Sequence, residues 1–319
     1  MVKTCLQKKG FRAMIPFRTK ITASVYALLS ISFWGVSFVS AKAVLGKLDP
    51  YSLLVLRFGI GALFLLFILL LNRYRLRISI RYIPHLVVLG ILGVFIHQVL
   101  QATALLTINA SSAGWLISFS PIFTVLLSVL FLHEKMDLKK GIGMVVAIAG
   151  VFLVTTTRSG HSFEFALNIG FILMILSTLN WAVYSILLKR LQIPYPALLV
   201  TFYMSLIGFV LTLPFIIRNK GWESLPLLTQ TEWAHLLFLA IFVSGIGYWY
   251  WGKALEVLDA SRVSTFIYLE PLVTLIAAIF LLHEKFILIS AIGGIIIIIG
   301  VAIVNGGLAR LLASTILKK

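Results

Sequence analysis

The sequence predicts an all-α polytopic membrane protein, with ten transmembrane helices arranged as two inverted five-helix repeats. The chain of 319 residues is 61% hydrophobic and only 12% charged, which lies outside the range of ordinary soluble domains. Apolar runs of about twenty residues, the length that crosses a bilayer, recur along its whole length. In addition, the two halves of the chain repeat each other in sequence.

Charged or proline-rich breaks divide the chain into ten candidate spans. They lie at residues 22–45, 50–71, 84–106, 110–132, 139–157, 166–190, 196–217, 233–256, 261–282 and 287–307. Lys and Arg are concentrated at both termini and in the loops after even-numbered spans, such as 73–81 and 135–140. Because these residues accumulate on the cytoplasmic side, we expect both termini in the cytoplasm and the chain in a bacterial inner membrane.

The net charge of +17 has the same explanation. In a soluble protein, 27 Lys and Arg against 10 Asp and Glu would suggest nucleic-acid binding, but here membrane topology accounts for the excess, and no nucleic-acid partner is expected. Cys5 is the only cysteine, which excludes an intramolecular disulfide, and no metal-ligand spacing occurs. The sequence also lacks a phosphate-binding Gly-rich loop and a nucleophile motif. We therefore expect no enzymatic activity, cofactor or metal.

The internal repeat is the most informative feature of the sequence. Ser120–Val154 aligns with Glu270–Val304 without a gap at an offset of 150 residues, so that Pro121 pairs with Pro271 and Gly150 with Gly300. Trp34 and Lys42 correspond to Trp181 and Lys189 at an offset of 147. Five helices are an odd number, and the second half is therefore predicted to be inverted in the membrane. Inverted repeats are typical of secondary transporters that bind substrate near the midplane.

The repeat also predicts the domain boundaries. These are a basic cytoplasmic N-terminus (1–21), a first repeat (22–157), a linker (158–165), a second repeat (166–307) and a cytoplasmic C-terminal tail (308–319). A His-Glu-Lys triplet ends a span in each half, at 133–135 and 283–285. Since the two triplets are predicted on opposite membrane faces, they cannot form one site, and a capping role is favoured for them.

These motifs resemble the drug/metabolite transporter superfamily, specifically its EamA-type members. The similar stretches are Trp34–Lys42 (WGVSFVSAK), Leu56–Phe58 (LRF), Ser120–Lys135 (SPIFTVLLSVLFLHEK) and Leu269–Lys285 (LEPLVTLIAAIFLLHEK). The resemblance implies a ten-helix fold with a central cavity, no nucleotide hydrolysis, and export of amino acids or related metabolites. In such relatives Gly is common at the positions of His133 and His283.

The sequence therefore predicts a secondary transporter whose partners are a small-molecule solute and the lipid bilayer. A facilitator or a multidrug-type exporter of amphipathic compounds is the alternative, and a membrane-embedded enzyme is a more distant one. The substrate, the direction of transport, its coupling to protons and the oligomeric state, with a monomer as one option, are left open by the residues alone.

Polar and aromatic residues in the middle of apolar spans are the candidates for substrate binding. Such side chains are costly in lipid and usually face the interior of a bundle or a water-filled cavity. The candidates are Trp34, Ser37, Arg57, His97, Gln98, Gln101, Trp181, Tyr184, Tyr248 and Trp251. Helix packing is the alternative for the aromatic residues, interhelical hydrogen bonding for the glutamines, and snorkelling to the interface or pairing with an acid for Arg57.

Glu270 is the candidate for proton coupling. It lies about nine residues into its predicted span, next to Pro271, and an ionisable residue at that depth is by default a functional candidate. A structural hydrogen bond to a neighbouring helix is the alternative. Its repeat mate is the uncharged Ser120, so that a carboxylate role would belong to one half only.

Overall fold

The structure, a computed structural model, describes residues 17–108, 110–156, 169–282 and 288–304, and every regular element in these ranges is helical. The predicted linker 158–165, the tail 308–319 and the loop at His283 lie outside the described residues, as does the N-terminal segment up to residue 16. The helical elements of the described chain agree with the predicted all-α fold class. Their order is similar in the two halves.

The described part of the first half contains seven helices. They are α1 (Phe17–Val44), α2 (Pro50–Leu71), α3 (Ile83–Gly90), α4 (His97–Thr107), α5 (Ala110–Ile117), α6 (Ser120–Leu132) and α7 (Leu138–Thr156). A 3₁₀ turn, Ile80–Tyr82, precedes α3, and a π-helical segment, Ile91–Ile96, joins α3 to α4.

The second half has a matching order. Its helices are α8 (Ile169–Leu191), α9 (Ala197–Arg218), α10 (Gln230–Phe238), α11 (Tyr248–Val257), α12 (Ala260–Ser264), α13 (Glu270–Leu282) and α14 (Leu288–Val304). A 3₁₀ helix, Gly221–Leu227, precedes α10, a π-helical segment, Leu239–Gly247, joins α10 to α11, and a 3₁₀ segment, Thr265–Leu269, joins α12 to α13.

Six helical stretches of the described chain are long and apolar enough to cross a membrane. They are Thr19–Val44, Pro50–Leu71, Ile80–Thr107, Ile169–Leu191, Ala197–Arg218 and Gln230–Val257. Each coincides with one of the ten predicted spans. The other four predicted spans fall on α5 with α6, on α7, on α12 with α13, and on α14, and the total of ten crossings stays a prediction.

Local sequence signals explain where several of these helices begin and end. Asp49 caps α2 by accepting hydrogen bonds from the backbone N–H groups of Tyr51 and Ser52, and Pro50 occupies the first turn, where its missing N–H costs nothing. The C-terminal end of α6 is at His133, whose φ of 52° lies in the left-handed region. Glycine adopts that conformation without strain, which agrees with the glycine that the resemblance implies at this position.

The two prolines that the repeat pairs, Pro121 and Pro271, lie at breaks in the helices. Pro121 lies in the first turn of α6, just after the gap that separates it from α5. Its mate Pro271 lies in the first turn of α13, after the 3₁₀ segment. A proline cannot donate the backbone hydrogen bond of a helix interior, and both halves are therefore interrupted at the equivalent point, next to Ser120 and Glu270.

Two pairs of repeat-related helices run antiparallel to each other. In the pair α7 and α14, Gly143 lies against the backbone of Gly300, and Gly150 lies against that of Gly293. In the pair α2 and α9, Tyr51 at the start of α2 stacks on Phe215 near the end of α9, with ring centroids 4.2 Å apart. Matching positions of the two halves thus meet in opposite chain directions.

Close packing of α7 against α14 leads to a first testable prediction. A Cβ atom on Gly143 would lie 2.5 Å from Val304 Cγ2 and 2.8 Å from the Gly300 carbonyl oxygen, closer than atoms can approach. Gly143→Ala should therefore force the helices apart and destabilise the protein by about 1–3 kcal/mol. The measurement is the thermal unfolding midpoint of the purified protein in detergent.

Gly141→Ala is the matched control on the same helix. Its Cβ would meet only Met136 Cε, at 3.9 Å, and alanine favours a helix over glycine by roughly 0.5–1 kcal/mol. The midpoint should stay unchanged or rise. Equal midpoints for the Gly143 and Gly141 variants would contradict the observed helix contact.

Contacts at the ends of α4 and α11 repeat between the halves. Lys42 on α1 donates from Nζ to the carbonyl oxygens of Leu105 and Ile108 at the end of α4. Lys189 on α8 donates in the same way to Leu255 and Leu258 at the end of α11. Cations at a helix C-terminus are favourable because unpaired carbonyls and the helix dipole meet there.

Glu134 caps a helix that belongs to the other half. Its carboxylate accepts hydrogen bonds from the backbone N–H groups of Ala260 at 2.8 Å and Ser261 at 3.2 Å, at the start of α12. Lys140 donates from Nζ to Ser261 Oγ at 2.9 Å. The capping role predicted for this triplet is confirmed at Glu134, and the contact fastens the end of α6 to the second half of the chain.

Candidate functional site

The helix ends and breaks described above surround a small central cavity of about 20 Å³. Its walls come from α1, α2, α4, α5, α8 and α11 and from the break before α13. The lining residues are Trp34, Ser37, Phe38, Arg57, His97, Gln98, Gln101, Ile117, Trp181, Tyr248, Ile267 and Glu270. Both halves of the chain contribute, and the cavity has room for about one water molecule.

Eight of the ten residues predicted to bind substrate line this cavity, and so does Glu270. The other two, Tyr184 and Trp251, pack directly against its wall: Tyr184 lies 4.8 Å from Trp181 between ring centroids, and Trp251 lies 5.1 Å from Trp34. The structure thus brings all the candidates together. Their role in binding stays a prediction.

Arg57 lies at one end of a chain of hydrogen bonds that crosses the cavity wall. It is buried, with 4% of its surface exposed, and it donates from Nε to Ser244 Oγ at 2.6 Å and from Nη1 to Gln98 Oε1 at 2.8 Å. The snorkelling interpretation of Arg57 is therefore wrong, because neutral side chains from two other helices hold the guanidinium inside the bundle.

The same chain of hydrogen bonds continues to Tyr248. Gln98 donates from Nε2 to the Tyr248 hydroxyl at 2.9 Å, and that hydroxyl donates to the Gly93 carbonyl oxygen at 2.8 Å. Gly93 belongs to the π-helical segment Ile91–Ile96. Tyr248 thus adds a side-chain hydrogen bond to the backbone of this π-helical segment.

Both π-helical segments are held by side chains from the other half of the chain. Asn180 on α8 donates to the Leu92 carbonyl oxygen at 2.6 Å. On α1, Ser30 donates to the Gly247 carbonyl oxygen at 2.9 Å, and Trp34 Nε1 donates to that of Val243 at 3.3 Å. The two segments thus have equivalent supports, and they place Gln98 and Tyr248 where each can reach the cavity.

An aromatic cluster forms one wall of the cavity. Trp181 is at its centre, with ring centroids 5.0 Å from Trp34, 5.5 Å from Tyr248 and 5.7 Å from Trp251. The rings meet edge-on or tilted, geometries that aromatic quadrupoles favour. Trp251 is fully buried behind the other three, and it therefore supports the wall without lining it.

His97 ties α4 to α8 beside this cluster. Its Nδ1 lies 2.8 Å from Ser177 Oγ and 3.2 Å from the Ser177 carbonyl oxygen, and Ser177 Oγ donates to the His97 carbonyl oxygen at 3.2 Å. The imidazole ring also lies 4.7 Å from the Trp181 ring between centroids. These contacts give His97 a structural function in addition to its place on the cavity wall.

Glu270 begins α13 and faces the cavity with only 3% of its surface exposed. No hydrogen bond to its carboxylate and no ion pair is found within the described part of the chain. The backbone around it is fixed, because Thr274 Oγ1 donates to the carbonyl oxygens of both Glu270 and Gly35 at 2.9 Å. A partner on a neighbouring helix, the structural alternative for Glu270, thus finds no support among these residues.

A much larger cavity, here called the vestibule, adjoins the central one. It has a volume of about 720 Å³ and lies among α8, α9 and α11. Its charged lining residues are Lys20, Lys189, Glu256, Asp259 and Arg262, and its inner end is formed by Tyr184 and Tyr248. Tyr248 lines both spaces, so that its ring separates the vestibule from the central cavity.

Several residues of the site were not predicted from the sequence. Phe38 lies one helical turn after Trp34, and this spacing is a signal that could have identified it. Ser177 and Ser244 are ordinary serines in apolar spans, and no local signal marks them as partners of His97 and Arg57. Among the described residues no group of His, Cys, Asp and Glu could hold a metal ion.

Comparison with known proteins identifies the family of this chain. The model of the EamA-like transporter family matches residues 21–156 and 168–306, one match for each half. An uncharacterized transporter of Archaeoglobus fulgidus is 30% identical over 279 residues, which are 86% of this chain and 96% of that protein. The resemblance drawn from the sequence motifs is thereby confirmed.

Two further similarities concern a named relative and a solved structure. A protein of Streptantibioticus cattleyicolor named as a probable terminal-alkyne amino-acid exporter is 29% identical over 226 residues, covering 70% of this chain and 74% of its own length. A crystal structure with 22% sequence identity superposes with a TM-score of 0.74 and covers 92% of this chain and 98% of its own. That likeness concerns the fold.

Proposed function

We propose that this chain, which belongs to the EamA-like transporter family, is a secondary transporter that exports amino acids or related metabolites through its central cavity. The observation that carries the proposal is the cavity itself, a buried space lined by polar, charged and aromatic side chains from both halves. Such residues are retained inside a membrane bundle where a solute or ion passes.

We further propose that transport occurs by alternating access between the halves. In the described conformation the central cavity is small, and Tyr248 lies between it and the vestibule. A cavity of about 20 Å³ cannot hold an amino acid, and the wall must therefore open for a solute to enter. The vestibule is the route that we assign to one side of the membrane.

The predicted inverted arrangement of two five-helix repeats, 22–157 and 166–307, forms part of the proposal. The antiparallel packing of α7 on α14 and of α2 on α9 supports it, because repeat-related helices can meet in this way only when one half is turned over. If both termini lie on the cytoplasmic face of a bacterial inner membrane, as we propose, Lys189 and Arg262 support a cytoplasmic position for the vestibule.

Topology gives a direct prediction. Tags inserted after His133 and after His283 should be reached by an impermeant reagent from opposite sides of the membrane, because the two loops occupy equivalent positions of inverted halves. The measurement is labelling of whole cells and of inside-out vesicles. Labelling of both tags from the same side would show that the ten-span inverted arrangement is wrong.

Two alternatives remain distinct from this proposal. A membrane-embedded enzyme is the more distant one: Glu270 and His97 are the acid and the histidine that line the central cavity in the described part of the chain, and His97 is bonded to Ser177. A multidrug-type exporter or a facilitator would use the same cavity. The relative named as an amino-acid exporter favours a metabolite over an amphipathic drug.

The experiment that tests the function is transport by the purified protein in liposomes. Liposomes loaded with a mixture of radiolabelled amino acids, nucleosides and amphipathic cations should release one class faster than protein-free liposomes do. Release of an amino acid supports the proposal, and release of a cation alone favours the multidrug alternative. No release of any class, with the protein shown to be folded, would contradict transport.

A further inference from the structure

The central cavity contains a buried basic side chain and a buried acidic side chain that are not paired with each other. Arg57 and Glu270 both line it, with 4% and 3% of their surfaces exposed. No ion pair between them, or from either one to another residue, occurs within the described ranges of the chain. The partners of Arg57 there are the neutral Ser244 and Gln98.

Unpaired charges in such a place are unfavourable. Moving an ion out of water is costly even after the protein relaxes, and a buried ionisable group is normally paired, bound to a metal or held in its neutral form. The cavity contains one basic and one acidic side chain all the same. A ligand that supplies one charge of each sign would compensate both groups at once.

We propose that the central cavity recognises a zwitterion, with the carboxylate of an α-amino acid on Arg57 and its ammonium group on Glu270. The inference rests on the proposed function and narrows its substrate class to solutes that carry both charges. A guanidinium binds a carboxylate through two parallel hydrogen bonds. Two of its nitrogens, Nε and Nη1, are now occupied by neutral acceptors that a carboxylate would displace.

The surroundings of the two groups suit this orientation. Trp34, Trp181 and Tyr248 line the same cavity as Arg57 and Glu270 and contact one another, and the face of an indole attracts an ammonium group. The remainder of the amino acid would lie against these rings.

Binding at Arg57 also has a consequence for Tyr248. Gln98 holds Arg57 through Oε1 and Tyr248 through Nε2. A carboxylate that replaces Gln98 Oε1 on Arg57 frees the amide to turn and release the Tyr248 hydroxyl. Since Tyr248 separates the cavity from the vestibule, occupation of Arg57 by a carboxylate would loosen that partition.

The test uses one amino-acid side chain in three charge forms, as the zwitterion, the amine and the acid. Binding to the purified full-length protein is measured for L-phenylalanine, phenethylamine and 3-phenylpropanoate, and for L-leucine with its corresponding amine and acid. In at least one series the zwitterion should bind about tenfold or more tightly than either single-charge form, because each charge-assisted contact contributes at least that factor. Equal binding of the three forms would overturn the inference.

Two variants separate the two contacts. Arg57→Gln should weaken binding of the zwitterion to the level of the amine while leaving the amine unchanged. Glu270→Gln should weaken it to the level of the acid while leaving the acid unchanged. A variant that weakens all three forms by the same factor would show that its side chain supports the fold without recognising a charge, which overturns the assignment for that residue.

Controls address folding and the proposed function. Arg57→Lys keeps the positive charge, and it should retain the preference for the zwitterion over the amine even if Arg57→Gln does not fold. Gln101→Ala removes a neutral group from the same cavity and should leave the ratios among the three forms unchanged.

If no amino acid binds while liposomes release another solute, the zwitterion inference fails and the transport function stands. If liposomes release nothing, transport itself fails.

Discussion

Replacing Glu270 with Gln should abolish the response of transport to an imposed pH gradient. The carboxylate is buried, faces the central cavity and has no partner in the described part of the chain, so that it is free to exchange a proton when the cavity opens. Gln has the same size and cannot be protonated. Downhill exchange of solute should continue at reduced affinity, whereas gradient-driven accumulation should fall to the level of protein-free liposomes.

The measurement is solute accumulation in liposomes with an internal and an external buffer that differ by two pH units. Gln101→Ala is a suitable control, because it alters the same cavity without removing a titratable group. Normal gradient-driven accumulation by the Glu270→Gln protein would exclude proton coupling at this residue. The protein would then be a facilitator, or a carrier that is coupled through another group.

Replacing Trp181 with Leu should lower transport by about tenfold or more, and by more than it lowers the yield of folded protein. Trp181 is the centre of the aromatic wall, in contact with Trp34, His97 and Tyr248. Aromatic pairs contribute about 0.5–1.5 kcal/mol each beyond the area that they bury. Loss of several such contacts at the surface that meets the solute should therefore affect transport directly.

Trp251→Leu is the matched comparison. Trp251 belongs to the same cluster and has the same size, but it is fully buried behind the wall. Its loss should reduce folded yield and transport in the same proportion, because it acts through packing alone. Initial transport rates per folded molecule are the quantity to compare. If the two variants have the same rate per molecule, Trp181 also acts through packing alone.

Much of the fold could be predicted because hydrophobic length and sequence repetition are local signals. The six long helices follow from runs of apolar residues, and the equivalent positions of Lys42 and Lys189 follow from the repeat. The bonds of these lysines to helix-end carbonyls were not predicted. The π-helical segments Ile91–Ile96 and Leu239–Gly247 were not predicted. Both lie inside uninterrupted apolar runs, and their supports come from residues far away in the chain.

Most residues of the candidate site could be predicted from the sequence, but their contacts with one another could not. Polar and aromatic residues in apolar spans identified nine of the residues that line the cavity. The partners of Arg57 could not be identified, since Gln98 and Ser244 are 41 and 187 residues away in sequence. The size of the cavity and the position of Tyr248 between two spaces depend on how the helices pack, which no local pattern determines.

Chemical modification of a cysteine in the central cavity tests most directly whether the solute passes there. Ser37 lines the cavity, whereas Ser32 on the same helix is bonded to the Leu28 carbonyl oxygen outside it. In a Cys5→Ser background, a small methanethiosulfonate should inactivate the Ser37→Cys protein, and the transported solute should slow that reaction. The Ser32→Cys protein should keep its activity. Unchanged transport by fully modified Ser37→Cys protein, or a reaction that the solute does not slow, would contradict a route through the central cavity.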